Sequence, residues 1–338
     1  MLLVAGLILA WWISQVLLLA FASMIVASLI GAIADLLTRF TPLKKVWALW
    51  ASIILLAVIV IGAPWLFGMQ IVAEFQNLID RLPDLLDTAG QRFGVSNLSD
   101  QADELWKGIW DTGMFGSIFG YTSNVIGIVT SVSVVLVGGV FIALDAQRYR
   151  EGFLQLVPRQ HRERARTAMQ EMARALRLWL LGQLAAMVVL GGVTTIGLLL
   201  LQAPSAIALG LLAGLLEFIP FLGPILAYLA AVIVALTVDL NLVIWVSVLY
   251  LGLQQLESNI LVPVIQKRTV ELPPALGIFA LLAISTLFGP PGLLLGVPLT
   301  VVILVGIKQI YIRDILHEET KMPGDDEAQH ESTAPDRD

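Results

Sequence analysis

Residues 215–227 read LLEFIPFLGPILA, an apolar run interrupted by Glu217, Pro220, Gly223 and Pro224. A lipid-exposed helix does not accept that set. Proline removes a backbone donor, and a carboxylate in hydrocarbon costs several kcal/mol. The stretch therefore reads as a broken helix that lines protein or a water-filled path.

Working outward, 58% of the 338 residues are apolar, only 14% are charged, and the mean hydropathy is +0.86. That composition belongs to integral membrane proteins. The fold class expected is all-α, a multi-pass bundle of transmembrane helices. With no cysteine, disulfides and thiolate chemistry are excluded. No Lys or Arg precedes Arg39, so the start lacks the basic region of a secretory signal and reads as a membrane anchor. Residues 2–37 are too few for two spans of ~20 residues each. A short first helix followed by a full span near 13–37 is expected.

Further apolar runs lie at 46–67, 117–144, 178–201, 205–238, 242–264 and 275–307. The runs at 205–238 and 275–307 are too long for one span and too short for two. Each is cut near its middle, the first at Pro220–Pro224 and the second at Gly289, Pro290 and Gly292. Halves of about 15 residues make ~22 Å of helix against ~30 Å of hydrocarbon. Two re-entrant, broken helical hairpins fit these lengths, with pairs of short tilted spans as the alternative.

Basic residues set the sidedness. Arg39, Lys44 and Lys45 follow the N-terminal helices, and residues 145–177 hold Arg148, Arg150, Arg159, Arg162, Arg164, Arg166, Arg174 and Arg177. Both segments are expected in the cytoplasm. Residues 68–116 carry more acidic than basic side chains and helical spacing around Pro83, as an extracytoplasmic helical cap does. The resulting organisation is N-terminal transmembrane helices at 1–67, the cap at 68–116, a transmembrane helix at 117–144, and a cytoplasmic amphipathic helix at 145–177. A transmembrane core with both hairpins follows at 178–310, then an acidic, disordered cytoplasmic tail at 311–338. The amphipathic helix either lies on the anionic leaflet, packs on a partner helix, or simply connects two spans.

Catalytic signatures are missing. His161, His317 and His330 fall in cytoplasmic segments, and the chain has no HExxH, Gly-x-Ser-x-Gly, Walker A or dinucleotide motif. No enzymatic activity, metal, cofactor or nucleic-acid partner is expected. The polar inventory of the membrane core is short: Glu217, then Gln254, Gln255, Glu257, Ser258 and Asn259 ahead of Pro263. Such side chains face protein or water rather than lipid, and a carboxyl taken out of water is a candidate proton carrier. The competing role for Glu257 is to bond backbone freed by a broken helix.

The segments EFIPFLGP (217–224), QQLESNILVPVI (254–265), ELPPALGIFALL (271–282) and LFGPPGLLLGVPLTVV (287–302) resemble, in order and spacing, the autoinducer-2 exporter (AI-2E) family. LVPRQHRERARTAMQEMARAL (156–176) and LLGQL (180–184) are similar to the family's cytoplasmic helix and its entry to the next span. The resemblance implies a bacterial inner-membrane protein that moves a small solute or ion, assembled as a homo-oligomer, a pentamer. Some relatives are associated with a furanone-type quorum signal and others with sodium/proton exchange. On the matching positions Pro220, Gly223 and Pro224 form the first hairpin tip, Glu257, Asn259 and Pro263 the intervening span, and Gly289, Gly292 and Pro298 the second hairpin.

The leading expectation is an exporter whose two hairpins alternate access to a polar pocket flanked by Glu217, Gln254, Gln255, Glu257 and Asn259. Protonation of a glutamate would couple the cycle to the proton gradient. The alternatives are a sodium/proton antiporter, a passive oligomeric channel, and a non-transporting membrane scaffold or regulator.

Overall fold

The computed structural model describes residues 2–62, 125–263 and 273–313. The expected extracytoplasmic cap and nearly all of the acidic tail lie outside them. Among the described residues every regular element is helical. In chain order these are α1 (Leu2–Phe40), α2 (Lys45–Ala57, continued as a π-helical turn to Gly62), α3 (Val125–Leu144), α4 (Ala146–Gln155) and α5 (Arg162–Leu200). They continue with α6 (Ala206–Leu216), α7 (Leu222–Leu236), α8 (Leu240–Leu256, continued as a π-helical turn over Glu257–Leu261), α9 (Pro274–Phe288) and α10 (Pro290–Ile307, continued likewise to Arg313).

Four helices are long and apolar enough to cross a membrane: Ile13–Phe40, Arg159–Leu200, Leu240–Leu261 and Pro290–Arg313. The pair formed by α3 and α4 bends by 88° and would supply a fifth. One expectation changes at the N-terminus. The anticipated short first helix is not separate, because no proline or polar break interrupts Leu2–Phe40 and the helix runs through. The expected passage from cytoplasmic helix to span at 177–178 falls inside a continuous helix. The arginine-rich stretch and the following span form one 39-residue helix, α5, since composition changes there without any helix-stop signal.

The chain divides into two compact units. The first comprises the described parts of residues 1–56, 133–185 and 258–338. Here α3 lies against α1 at a glycine pair: a Cβ on Gly138 would sit 2.7 Å from Ser23 Oγ, and one on Gly139 would run into Val26. Small residues allow such close helix approach where lipid supplies no hydrophobic drive. Arg177 of α5 pairs with Asp35 of α1. Both side chains are about half exposed, so the pair contributes roughly 0–1 kcal/mol. Gly306 of α10 packs on Met172 of α5.

The second unit comprises the described parts of residues 57–132 and 186–257. Its core joins Leu198 of α5, Ala206 and Leu209 of α6, Ala231, Val234 and Ala235 of α7, and Leu242 and Val246 of α8. The start of α6 thus meets the end of α7, while at the other end Gly223 lies against the Leu216 carbonyl. That is an antiparallel helical hairpin. In the first unit α9 and α10 form the second hairpin, with Gly292 against the Ile284 carbonyl and Gly296 against Leu281. Its second arm differs from expectation. With the π-helical turn it reaches 24 residues, enough to cross a membrane, whereas α6, α7 and α9 are each too short.

Proline and glycine chemistry builds the second tip. Gly289 has φ 64° and ψ −147°, a region essentially reserved for glycine. Pro290 and Pro291 follow in the first turn of α10, where backbone N–H groups have no intrahelical acceptor, so their missing donors cost nothing. Gly289→Ala and Gly292→Ala are each expected to destabilise the detergent-solubilised protein by about 1–3 kcal/mol, from the strained backbone at the first and a bad contact at the second. Gly192→Ala and Gly252→Ala, where a Cβ meets nothing within 4 Å, leave stability unchanged or raise it. Thermal unfolding of the four variants checks the contrast.

Candidate functional site

The first hairpin is positioned by glycine. A Cβ on Gly191 of α5 would lie 3.0 Å from Gly214 Cα of α6, and one on Gly214 would lie 2.8 Å from the Met187 carbonyl. Gly210 packs directly on Thr195. Three glycines thus bring α6 onto α5 at backbone distance, which sets where α6 ends.

It ends at Glu217, whose N–H still bonds the Ala213 carbonyl at 3.0 Å. The chain then turns tightly. The Leu222 N–H reaches back to the Pro220 carbonyl at 2.9 Å, with Phe221 between them at φ 70°, ψ −47°. This is a γ-turn of the rare, strained kind. Pro220 is half-buried at the turn, Phe221 is exposed, and Gly223 is buried because the Leu216 carbonyl occupies the space of a Cβ.

Below this turn the second unit contains a cavity of about 260 Å³. Its walls are Leu190 and Thr194 of α5, Ala213 and Glu217 at the end of α6, Pro224 and Tyr228 of α7, and Ser247, Tyr250, Gln254 and Glu257 along α8. Glu217 is only 5% exposed. Gln254 Nε2 donates to Glu257 Oε2 at 3.3 Å, and Tyr228 and Ser247 hydroxyls lie 3.0 Å apart. The Tyr228 and Tyr250 rings tilt against each other with centroids 5.5 Å apart. The Tyr250 hydroxyl is buried and finds no hydrogen-bond partner among the described residues. Two carboxyl groups, two phenols, an amide and two hydroxyls therefore face one solute-sized space with no basic side chain in its lining.

Of the residues singled out from sequence, Glu217, Pro224, Gln254 and Glu257 come together here. Gln255 and Asn259 do not line the cavity and are exposed, as is Pro263. Glu257 opens a π-helical turn, a feature that recurs at functional sites. Gly289, Pro290, Gly292 and Pro298 belong to the second hairpin, with Gly292 and Pro298 buried. Tyr228, Ser247, Tyr250 and Thr194 went unnoticed. A signal for the two missed α8 positions was available, since Ser247 and Tyr250 recur with Gln254 and Glu257 at steps of three, four and three along one helix face.

A multi-pass helical protein with a solute-sized cavity beside a broken hairpin, its lining largely apolar (Ile225, Ala227, Leu251 and Leu253 among others) but carrying two carboxyl groups, has the make-up of a membrane transport protein. The sequence profile described as "AI-2E family transporter" matches residues 1–312. The chain belongs to that family. It is 30% identical over 165 residues to "Putative transport protein YrrI" of Bacillus subtilis, covering 49% of this chain and 47% of that one. It is 26% identical over 185 residues to "Putative transport protein YueF" of the same organism, covering 54% and 50%. The chain thus spans about half the length of these two relatives. With "Putative transport protein sll0060" of Synechocystis sp. it shares 23% identity over 312 residues, covering 87% and 86%.

Unequal hydrogen bonding of the two tyrosines gives a direct test of the cavity wall. Tyr228→Phe removes the bond to Ser247 and is expected to cost about 1 kcal/mol. Tyr250→Phe removes a buried hydroxyl that has no partner, and is expected to be neutral or stabilising. Unfolding midpoints of the two variants in the same detergent compare them.

Proposed function

We propose that the chain is a bacterial inner-membrane carrier that exports a small polar solute, and that the cavity bounded by Glu217, Tyr228, Tyr250, Gln254 and Glu257 is its binding site. The observation that carries this reading is the cavity itself, lined at the C-terminal end of α6 by the buried carboxyl group of Glu217. At about 260 Å³ it lies just below the usual range of roughly 300–1,000 Å³ for ligand sites, which favours a small solute. In this proposal Glu217 and Glu257 exchange protons with the solute's path and couple export to the proton gradient. The arginine-rich segment 145–177 and the tail face the cytoplasm, as the positive-inside asymmetry favours, and the protein works as a homo-oligomer.

Movement is supported by where backbone strain resides. Among the described residues the non-glycine positions with positive φ are Gln202 (56°), Ser205 (53°) and Phe221 (70°). All three bracket α6, the helix that ends at Glu217 and packs on α5 through Gly191, Gly210 and Gly214. Strain of this kind is held only by its surroundings and gathers at hinges and clamps. We propose that α6 shifts along α5 and opens the cavity by relaxing these residues.

Two measurements in proteoliposomes test the reading. Glu217→Gln and Glu257→Gln are expected to abolish solute flux driven by a pH gradient while leaving reconstitution intact. Unchanged gradient-driven flux in both variants would remove the coupling role. Phe221→Gly relieves about 1–3 kcal/mol of strain in the observed state. It is expected to raise thermal stability and slow turnover, and a variant with raised stability and unaltered turnover would exclude α6 as the moving part.

A further inference from the structure

At Asp145 the chain leaves α3 and turns by 88° into α4. The exposed apolar face of α3, through Val137, Phe141 and Leu144, leads directly to this corner. A helix that leaves the end of an apolar helix at right angles is placed to run along a membrane surface if α3 alone makes the crossing. Its composition agrees, since Gln147, Arg148, Arg150, Glu151 and Gln155 leave α4 too polar for hydrocarbon.

The faces of α4 are sorted as a bilayer surface requires. Tyr149, Phe153 and Leu156 fall at i, i+4 and i+7, one ridge, and are 52%, 55% and 82% exposed. Arg148 and Arg150 stand roughly 100° to either side of Tyr149. Gln147 and Glu151 occupy the opposite side, exposed, and bond each other at 2.9 Å. The orientation is held from outside the helix: Arg162, at the start of α5, donates to the Val157 carbonyl at 3.1 Å and to the Gln155 carbonyl at 3.4 Å, fastening the end of α4. Arg150 Nε is buried and lacks a hydrogen-bond acceptor among the described residues. From residue 145 to 177 eight arginines stand against four acidic side chains.

We infer that α4 is an interfacial helix that docks on anionic phospholipid. Tyr149, Phe153 and Leu156 enter the boundary between headgroups and acyl chains, and Arg148 and Arg150 hold lipid phosphates on both flanks. The occupant is lipid rather than a second protein copy for two reasons. The ridge follows exposed apolar residues of α3 (Val137, Phe141 and Leu144) in the chain, and the flanking charges match an anionic leaflet.

The absence of cysteine in the chain permits single-site spin labelling without background changes. Labels at Phe153→Cys and Leu156→Cys in nanodiscs containing phosphatidylglycerol are expected to collide several-fold more with oxygen than with a water-soluble nickel complex, and a label at Gln147→Cys shows the reverse. Nickel-accessible labels at 153 and 156 would overturn the proposal. So would labels there that are immobilised and shielded from both quenchers, which would mean that a second copy covers the ridge. Independently, phosphatidylglycerol is expected to raise the unfolding midpoint over phosphatidylcholine discs, and the combined Arg148→Gln and Arg150→Gln variant loses that increment while matching the parent in phosphatidylcholine. An increment retained in the variant refutes the arginine contacts.

Discussion

A helix broken inside an apolar medium leaves backbone N–H and C=O groups that water does not reach, and each must find a partner within the protein. Both hairpins of this chain are solutions to that constraint. At the first tip the Ile219 N–H bonds Leu216, the Leu222 N–H bonds Pro220 and the Gly223 N–H bonds Ile219, so the turn closes on itself. At the second, the Gly289 N–H bonds Ser285 and two prolines supply residues with no N–H to satisfy. The sharpness of the turns follows from these bonds, and so does the demand for glycine where the returning arm meets a carbonyl.

The cavity of the second unit is a consequence of the same constraint. Where α6 gives way to the γ-turn at Phe221, Glu217 on one side of the turn and Pro224 on the other both line the cavity. Close packing of α5 on α6 through Gly191, Gly210 and Gly214 fixes the opposite wall. The polar stripe of α8 faces the gap, and burial of Glu217 follows from its place at the helix end. In this chain the groups lining the cavity are thus placed by backbone geometry first and by side chains second.

Much of this was legible in the sequence, for definite reasons. Hydropathy and positive-inside asymmetry depend on transfer energies that act residue by residue, so a helical membrane fold follows from composition and order alone. Proline and glycine at 220–224 and 289–292 mark breaks because they act on the local backbone. Nothing in the sequence between residues 162 and 200 stops a helix, so the expected passage from cytoplasm to membrane at 177 lies within the single helix α5. On α8 helical spacing puts Gln255, Ser258 and Asn259 on one face with Gln254 and Glu257 beside it, but no local signal says which of these meets the cavity, and Gln254 and Glu257 are the ones that line it.

By itself, the sequence determined the class of protein, the positions of both hairpins and the presence of Glu217 and Glu257 within apolar helices, all through effects that are local or additive along the chain. Only the tertiary structure decided that Tyr228, Ser247 and Tyr250 join Glu217, that strain collects at both ends of α6, and that α4 turns at a right angle from α3. These depend on which helices approach closely, and that is set by small residues far apart in the chain whose juxtaposition no local pattern encodes.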